Sequence, residues 1–416
     1  MAHAANALLA AEIDLCDHDR FAQGVPHEWF ARLRAEAPVY WQPEPKGPGF
    51  WSITRHEDVV RVSKDPKRFS SEVGGTSLED LEPEHVEARK SMIDMDPPRH
   101  YKLRSLISKR FLPRALKAFS DHIRQLFRGI LETAIARRDF DFVDDVAVEL
   151  PMRVFAEMLG APQEDRRLIV DIGNRILGAT DPEYVDDYET ERERFKHLPF
   201  SSPASLEMFE YGRKLAAQRR AEPRDDIVTD LVFAEVDGEP LTPHEFDLYF
   251  LLLAAAGNET TRHSLSGGMF ELLRHPDQAE RIVAGDEDLA VTAADEVLRM
   301  VTAVHHFRRT ATEDVEMRGE VIRAGDKVAM WYTSANRDED VFEEPNRFDV
   351  GRKPNRHLTF GIGPHFCLGA YLARLEIKIA LEELRPHLGR LELVSEPERL
   401  RSNFFNGIKH MGVRYR

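Results

Sequence analysis

The spacing of hydrophobic residues predicts a chain built mostly of helices. Over long stretches these residues recur every three or four positions, which places them on one face of a helix. The stretches are residues 27–36, 57–64, 140–235, 242–275 and 293–301, and the segment after Cys367. Shorter runs rich in aromatic and β-branched residues predict strands at 39–41, 50–54, 321–322, 328–332 and 390–416. We therefore expect a mainly α fold with a small β region.

Two stretches interrupt this pattern. Residues 70–95 lose periodicity and contain Gly74-Gly75 with a run of charges, which predicts a mobile loop. A solvated surface connection is the alternative interpretation of this stretch. Residues 180–205 form an acidic, aromatic insertion broken by prolines. We interpret this insertion as a lid between two helices.

The longest helix is predicted from Thr242 to about His275. Thr242 precedes a proline, and Glu245 stands at the third helical position, which together make a capping-box start. The apolar body of this helix is interrupted by the segment 257–261, Gly-Asn-Glu-Thr-Thr. Polar residues within a buried helix are costly unless neighbouring helices, water or a ligand provide partners.

Composition narrows the function classes. The chain has 416 residues, and its 73 acidic against 57 basic residues give a net charge of −16, which argues against nucleic acid as a partner. This length would allow two or three domains. Because no linker, repeat or low-complexity run appears, we expect one domain over residues 1–416.

The N-terminal sequence predicts neither a signal peptide nor a membrane anchor. It has no basic start and no span of about 20 apolar residues. The 2 cysteines provide no disulfide framework and fit a reducing compartment. We therefore expect a cytoplasmic protein that does not associate with a membrane.

Cys367 is the residue with the clearest chemical potential. Gly361 and Gly363 before it can adopt backbone conformations closed to other residues, and a predicted helix follows it. At a helix start, free N–H groups and the helix dipole favour a thiolate, so we expect a lowered thiol pKa. Three polar residues, Arg374, Lys378 and Glu382, are predicted on the solvent face of this helix.

A lone cysteine is more often a small buried hydrophobic residue than a reactive one. A zinc site would require several Cys or His residues at ligand spacing, and the only other cysteine is Cys16. A cysteine hydrolase could use a thiolate at a helix start. The residues alone therefore leave the hydrolase open.

The segment Phe360-Gly361-x-Gly363-x-His365-x-Cys367-x-Gly369 resembles the haem-binding signature of the cytochrome P-450 superfamily. The resemblance extends over nearly the whole chain. It implies the fold of that family, a triangular prism with haem b between a long distal helix and the proximal Cys367 helix. Cys367 would be the iron ligand, and Phe360, Gly361 and Gly369 would contact the haem.

The same resemblance implies partners for the haem propionates. His100 and Arg104, four residues apart on one helix face, match one such pair. Arg309 matches a further propionate arginine, for which Arg308 could substitute, and His365 matches the basic residue two positions before the cysteine. Taken alone, a His/Arg pair would more often be a solvated face.

Ala256-Gly257-x-Glu259-Thr260 resembles the acid–alcohol motif of the family. The resemblance implies that small Ala256 and Gly257 leave room for dioxygen and substrate. Thr260 would hold activated oxygen and an ordered water, and Glu259 would relay protons to it from solvent. Satisfaction of these polar groups by neighbouring helices is the alternative.

Two further motifs complete the resemblance. Glu296 and Arg299 match the family's ExxR pair, with Arg347 as the expected third member of a buried charge triad. Residues 304–307 would line the haem pocket, where His305 and His306 are either ligand contacts or solvated side chains.

The function implied is that of a bacterial, monomeric haem-thiolate monooxygenase. It would insert one oxygen atom of O2 into a C–H bond of a small lipophilic substrate such as a terpenoid, a steroid or a lipid chain. A peroxide-driven haem-thiolate enzyme and a non-catalytic haem sensor are the alternatives. Glu259 and Thr260 argue against the peroxide-driven enzyme, which needs no acid–alcohol pair.

Electrons from NAD(P)H would arrive through a reductase and a ferredoxin, since no flavin domain follows. Ferredoxins are acidic, so a basic surface is needed for docking. The candidate residues, to which Arg374 and Lys378 could be added, are Lys109, Arg110, Arg114, Lys117, Arg124 and Arg128. A basic surface without a partner is the alternative.

Overall fold

The computed structural model describes residues 9–285 and 287–416, without the side chain of Glu287. As the hydrophobic spacing predicts, helices predominate. They are α1 (His18–Ala22), α2 (His27–Glu36), α3 (His56–Lys64), α4 (Pro83–Ala88), α5 (Arg99–Ser108), α6 (Pro113–Ala136), α7 (Glu149–Leu159), α8 (Arg166–Leu177), α9 (Tyr188–Arg194), α10 (Ala204–Ala221), α11 (Ile227–Val232), α12 (Pro243–Arg274), α13 (Pro276–Ala284), α14 (Glu287–Val301), α15 (Tyr332–Ala335) and α16 (Ala370–Leu384).

The strands form small sheets. They are β1 (Val39–Gln42), β2 (Phe50–Ile53), β3 (Phe69–Ser70), β4 (Asp139–Asp141), β5 (Glu235–Val236), β6 (Glu239–Pro240), β7 (His306–Ala311), β8 (Val315–Met317), β9 (Glu320–Ile322), β10 (Lys327–Trp331), β11 (Leu391–Leu393), β12 (Glu398–Arg399), β13 (Ile408–His410) and β14 (Gly412–Tyr415). A 5-stranded sheet has the order β1-β2-β10-β7-β3, and a 3-stranded sheet has the order β11-β14-β4. The larger sheet therefore joins the N-terminal strands to the segment that follows α14.

The long helix α12 begins as its capping box predicts. The Thr242 hydroxyl accepts a hydrogen bond from the Glu245 N–H (3.2 Å), and the Glu245 carboxylate accepts one from the Thr242 N–H (2.9 Å). Most of the helix is buried, and it packs against α7, α8, α10, α14 and α16. A helix enclosed on most sides needs no continuous polar face, which explains its long apolar body.

Both interrupted stretches contain helices. Residues 70–95, predicted as a mobile loop, include α4 and a 3-10 turn at Met92–Asp94. The Arg308 guanidinium ties this stretch to β7 by donating to the carbonyl oxygens of Ser77 (3.3 Å) and Glu79 (3.1 Å). The insertion at 180–205 contains α9 and connects α8 with α10.

Glu296 and Arg299 on α14 form a fully buried ion pair, each with 0% side-chain exposure. The Arg299 guanidinium makes two parallel bonds of 2.8 Å to the Glu296 carboxylate. It also donates to main-chain carbonyls of Asn336 (2.9 Å), Pro345 (2.7 Å) and Arg347 (3.1 Å). The pair thereby fastens the segment that leads to the Cys367 loop.

The prediction that Arg347 is the third member of this charge triad is wrong. Its side chain is 56% exposed and pairs with Glu344 (2.7 Å), so only its carbonyl oxygen contacts Arg299. Arg352 takes the expected place, because its Nε lies 3.2 Å from the Glu296 carboxylate.

No helix within residues 9–285 or 287–416 is both long enough and apolar enough to cross a lipid bilayer.

Candidate active site

The loop before Cys367 depends on glycine. Gly361 and Gly363 have φ angles of +65° and +80°, a region that side chains disfavour. A Cβ atom on Gly363 would also lie 2.6 Å from the carbonyl oxygen of Ser63. The Cys367 N–H donates to the Phe360 carbonyl (2.8 Å), which closes the loop. A Cβ on Gly369 would lie 4.0 Å from the cysteine sulfur, so glycine keeps that side of the sulfur open.

The helix after Cys367 begins at Ala370, three residues beyond the cysteine that was predicted to lie at the helix start. The N–H groups of Gly369 and Ala370 and the charge of Arg104 favour the thiolate. Part of the Cys367 side chain is open to solvent, but many protein atoms lie around the sulfur. Their desolvation of the thiolate outweighs the stabilising N–H groups and charges, so the thiol pKa is raised. The predicted lowering of the pKa is therefore wrong in its net direction.

The polar face of α16 is an interface and not the predicted solvent face. Arg374 pairs with Asp295 of α14 (2.7 Å) and lies 4.6 Å from the centre of the Phe360 ring. Lys378 pairs with Glu382, which also binds Arg124 of α6. These charges hold α16 against its neighbouring helices.

Four basic side chains predicted to bind propionates come together beside the Cys367 loop. The rings of His100 and His365 lie 4.1 Å apart. Burial, together with the charges of Arg309 and Arg104, lowers the pKa of His365 to about 2. Arg309 reaches this cluster, whereas Arg308 points to the 70–95 stretch and cannot substitute for it.

This cluster is suited to an anionic ligand. Throughout the described residues, neither Arg104 nor Arg309 forms an ion pair with a carboxylate, and the buried Nδ1 atom of His100 has no hydrogen-bond partner. Buried cations are normally paired. Two arginines without acid partners next to a cysteine therefore fit a haem, which carries two carboxylates and an iron that binds thiolate.

A cavity of about 530 Å³ lies along α12. On this helix its apolar lining is Leu248, Leu251, Leu252, Ala255 and Ala256, and Thr260 adds a hydroxyl group. The Thr260 hydroxyl donates to the Ala256 carbonyl (3.0 Å), which leaves its oxygen free to accept a further bond. The 70–95 stretch and the 180–205 insertion supply other parts of the wall. The cavity suits a lipophilic molecule.

The structure gives Gly257 a role other than the predicted one. A Cβ atom at this position would lie 2.7 Å from the ring of Phe155 on α7. Gly257 therefore permits close packing of two helices, while Ala256 is the small residue that lines the cavity.

Glu259 and Thr260 point to different sides of α12, since successive residues are about 100° apart around a helix. Glu259 is buried in an ion pair with Arg262, and His263 Nε2 lies 3.4 Å from its carboxylate. Burial opposes ionisation of Glu259, but the charge of Arg262 and the interaction with His263 together outweigh it and hold the carboxyl pKa below its usual range. The structure does not bring Glu259 to the Thr260 hydroxyl.

His305 and His306 have different surroundings. His305 Nδ1 is 2.7 Å from the Thr333 hydroxyl, and its ring packs against Phe21, away from the cavity. His306 is part of the cavity wall. Of the two predicted candidates, only His306 is placed to contact a ligand.

Asp295 and Phe155 were not singled out from the sequence. Asp295 holds His357 (3.2 Å) and Arg374 (2.7 Å), which fixes both ends of the Cys367 loop. An acid on an amphipathic helix gives no sign of such a role. The contact of Phe155 with Gly257 could be predicted only if it were known which helix packs against Gly257.

Comparisons with known proteins agree with this site. The family described as Cytochrome P450 matches residues 289–388. A steroid C26-monooxygenase of Rhodococcus jostii is 40% identical over 414 residues, which are 97% of this chain and 84% of that protein. A methyl-branched lipid omega-hydroxylase of Mycobacterium bovis is 40% identical over 394 residues, which are 92% of this chain and 90% of that protein.

A solved structure supports the same conclusion. A Mycobacterium marinum cytochrome P450 in complex with pseudoionone superimposes with a TM-score of 0.89 at 37% sequence identity, covering 97% of this chain and 98% of that chain. Identity of this extent over nearly the full length shows common membership and a common fold. The chain therefore belongs to the cytochrome P450 family, has its mainly helical fold with small sheets, and is a P450 monooxygenase.

Proposed function

We propose that this monooxygenase inserts one oxygen atom of O2 into a C–H bond of a steroid or a branched lipid chain. The observation that carries the proposal is an apolar cavity, lined by the Thr260 hydroxyl, along the helix that packs against the Cys367 helix. Relatives named for steroid C26 and for lipid omega oxidation support this substrate class.

Family membership implies haem, and the residues around Cys367 fit it. Cys367 would bind the iron, while His100, Arg104, Arg309 and His365 would hold the two carboxylates. When bound, the haem supplies the oxygen chemistry, to which a thiolate ligand donates electron density. Burial would strengthen the attraction between these cations and the haem carboxylates, because charges interact more strongly away from water.

Thr260 and Glu259 would govern proton delivery. The Thr260 oxygen faces the cavity and can hold a water molecule there. Glu259 is ionised beside Arg262, so its carboxylate must leave this partner before it can pass a proton towards Thr260. Ala256 leaves space next to that hydroxyl.

Replacement of Thr260 by alanine tests this function. The wild-type enzyme, supplied with a ferredoxin, its reductase and NADPH, should convert a steroid or branched lipid to an alcohol whose new oxygen comes from isotopically labelled O2. Thr260→Ala should keep haem content and substrate affinity but direct most electrons to hydrogen peroxide, because the cavity loses the hydroxyl that positions water. Product and peroxide are measured per NADPH consumed.

Thr260→Ser is the matched control, since it retains the hydroxyl and should remain coupled. Fully coupled product formation by Thr260→Ala would remove Thr260 from the mechanism. Unlabelled product in the wild type would contradict the proposed reaction.

We also propose a ferredoxin as the electron donor. Its docking surface on this protein would include fewer basic residues than the sequence predicts. Lys109, Arg114 and Lys117 are exposed and have no acid partner in the described part of the chain. By contrast, Arg110, Arg124 and Arg128 are paired with acids on neighbouring elements. The free cations follow α5, whose Arg104 lies near Cys367.

Charge reversal at Lys109 or Arg114 is expected to slow the first electron transfer. Added salt should slow the wild type similarly, because the Debye length falls to about 8 Å near physiological ionic strength. The measurement is stopped-flow reduction by a ferredoxin across a salt series. Arg220→Glu, an exposed site on α10, is the control and should have no effect. Rates that respond neither to salt nor to Lys109→Glu would refute this docking surface.

A further inference from the structure

His306 is the anomalous polar residue of the cavity wall. Its side chain is 2% exposed, and neither ring nitrogen has a hydrogen-bond partner in the described residues. Its ring is packed between aromatic side chains, 4.5 Å from the centre of Trp331 and 5.3 Å from that of Phe404. A buried polar group without a partner destabilises the fold, so this arrangement requires an explanation.

Other polar residues on the same wall already have partners within the protein. The Thr180 hydroxyl donates to the Arg401 carbonyl (2.5 Å), and the Ser402 hydroxyl accepts from the Phe404 N–H (3.1 Å). The Asn403 amide donates to the Leu15 carbonyl (2.9 Å). These groups stabilise the chain itself, whereas both nitrogens of His306 remain unpaired.

His18 lies on this wall close to His306. Its Nδ1 accepts a hydrogen bond from the Asn403 N–H (3.1 Å), which assigns the remaining proton to Nε2. Burial lowers the pKa of His18 to about 4, and burial with the nearby His18 lowers the pKa of His306 to about 3. Both imidazoles are therefore neutral at pH 7. His306 offers one donor and one acceptor, whereas His18 offers only its Nε2–H as a donor, because its Nδ1 is occupied.

We propose that His306, with His18 beside it, recognises a neutral oxygen of the substrate, so that the enzyme selects lipophilic alcohols and ketones over hydrocarbons. This inference rests on the proposed function. A neutral imidazole can donate to a ketone and can both donate to and accept from an alcohol. A carboxylate would favour a protonated histidine, which the aromatic surroundings oppose. Water does not reach either His306 nitrogen in this conformation, so a ligand oxygen makes contact when the imidazole turns about its Cβ–Cγ bond.

The test uses three ligands with one carbon skeleton, cholestanone, cholestanol and cholestane, each delivered in cyclodextrin. Their affinities for the haem-loaded enzyme are measured by the low-to-high-spin absorption change and by calorimetry. The wild type should bind the ketone and the alcohol about tenfold more tightly than the hydrocarbon, the effect of one hydrogen bond to an otherwise unpaired buried group. His306→Phe should bind all three with affinities within about threefold of each other.

Three comparisons make this result specific. His306→Gln retains a donor and an acceptor and should recover part of the preference. His122→Phe makes the same chemical change on α6, outside the cavity, and should retain all of it. The thermal midpoint of ligand-free His306→Phe should equal or exceed that of the wild type, because the substitution removes two unpaired nitrogens.

A His306→Phe enzyme that still prefers the ketone and the alcohol, or that loses affinity equally for all three ligands, would refute the inference. So would a lowered thermal midpoint, which would show a purely structural role. Binding of none of the three ligands by the wild type would refute both this inference and the proposed substrate class. Turnover of cholestane with unchanged selectivity in His306→Phe would refute the inference alone.

Discussion

Cys367→Ser is expected to abolish the long-wavelength absorption band of the ferrous–CO complex. That band requires a thiolate ligand to the iron, and the loop held by Gly361 and Gly363 positions only this cysteine next to the basic cluster. Loss of monooxygenase activity should accompany loss of the band. The measurement is a CO difference spectrum of the dithionite-reduced protein, normalised to haem content.

Cys16→Ser is the matched control, and it should leave the band unchanged. Cys16 packs against the N-terminal buried cluster that contains Phe21 and Trp331, whereas Cys367 lies near Arg104. Burial and the nearby Asp14 also raise the pKa of Cys16 to about 12. Persistence of the band in Cys367→Ser would mean that another residue binds the iron.

Arg299→Lys should lower the free energy of unfolding by about 1–3 kcal/mol, because buried oxygens that Arg299 serves lose their hydrogen-bond donors. Lysine keeps the charge but has no planar fork, so it cannot bind Glu296 and three main-chain carbonyls at once. Because domains are stable by only about 5–15 kcal/mol, the variant should also be purified with less haem. Urea unfolding followed by circular dichroism and the haem-to-protein ratio are the measurements.

Arg347→Ala distinguishes the observed triad from the predicted one. The Arg347 side chain is exposed and only its carbonyl oxygen is used, so the variant should unfold at nearly the wild-type urea concentration. A loss comparable to that of Arg299→Lys would show that Arg347 is a member of the triad after all.

The features that could be predicted from the sequence are those decided by residues close together along the chain. Helix α2 has the predicted bounds, and the capping box of α12 forms as expected. Local hydrophobic spacing indicates the first, and local hydrogen bonds decide the second. The glycines of the Cys367 loop have the predicted unusual backbone angles. These results follow from steric rules that act within a few residues.

The features that sequence did not predict depend on distant contacts. Arg347 and Arg352 are equivalent arginines of one irregular segment, and only the path of the chain decides which reaches Glu296. Gly257 lies in a motif that resembles an oxygen site, but its open side faces Phe155. Glu259 is an exception, because helix geometry turns it away from Thr260 and its partner Arg262 is only three residues along the chain.

The hydrogen bonds from Arg299 have a consequence for how this protein can evolve. They end on main-chain oxygens at positions 345 and 347, and every amino acid carries such an oxygen. Replacement of those two side chains therefore leaves the hydrogen bonds intact, whereas replacement of Arg299 removes their donor. We expect the identities of residues 345 and 347 to drift among descendants of this chain while the path of the segment stays the same.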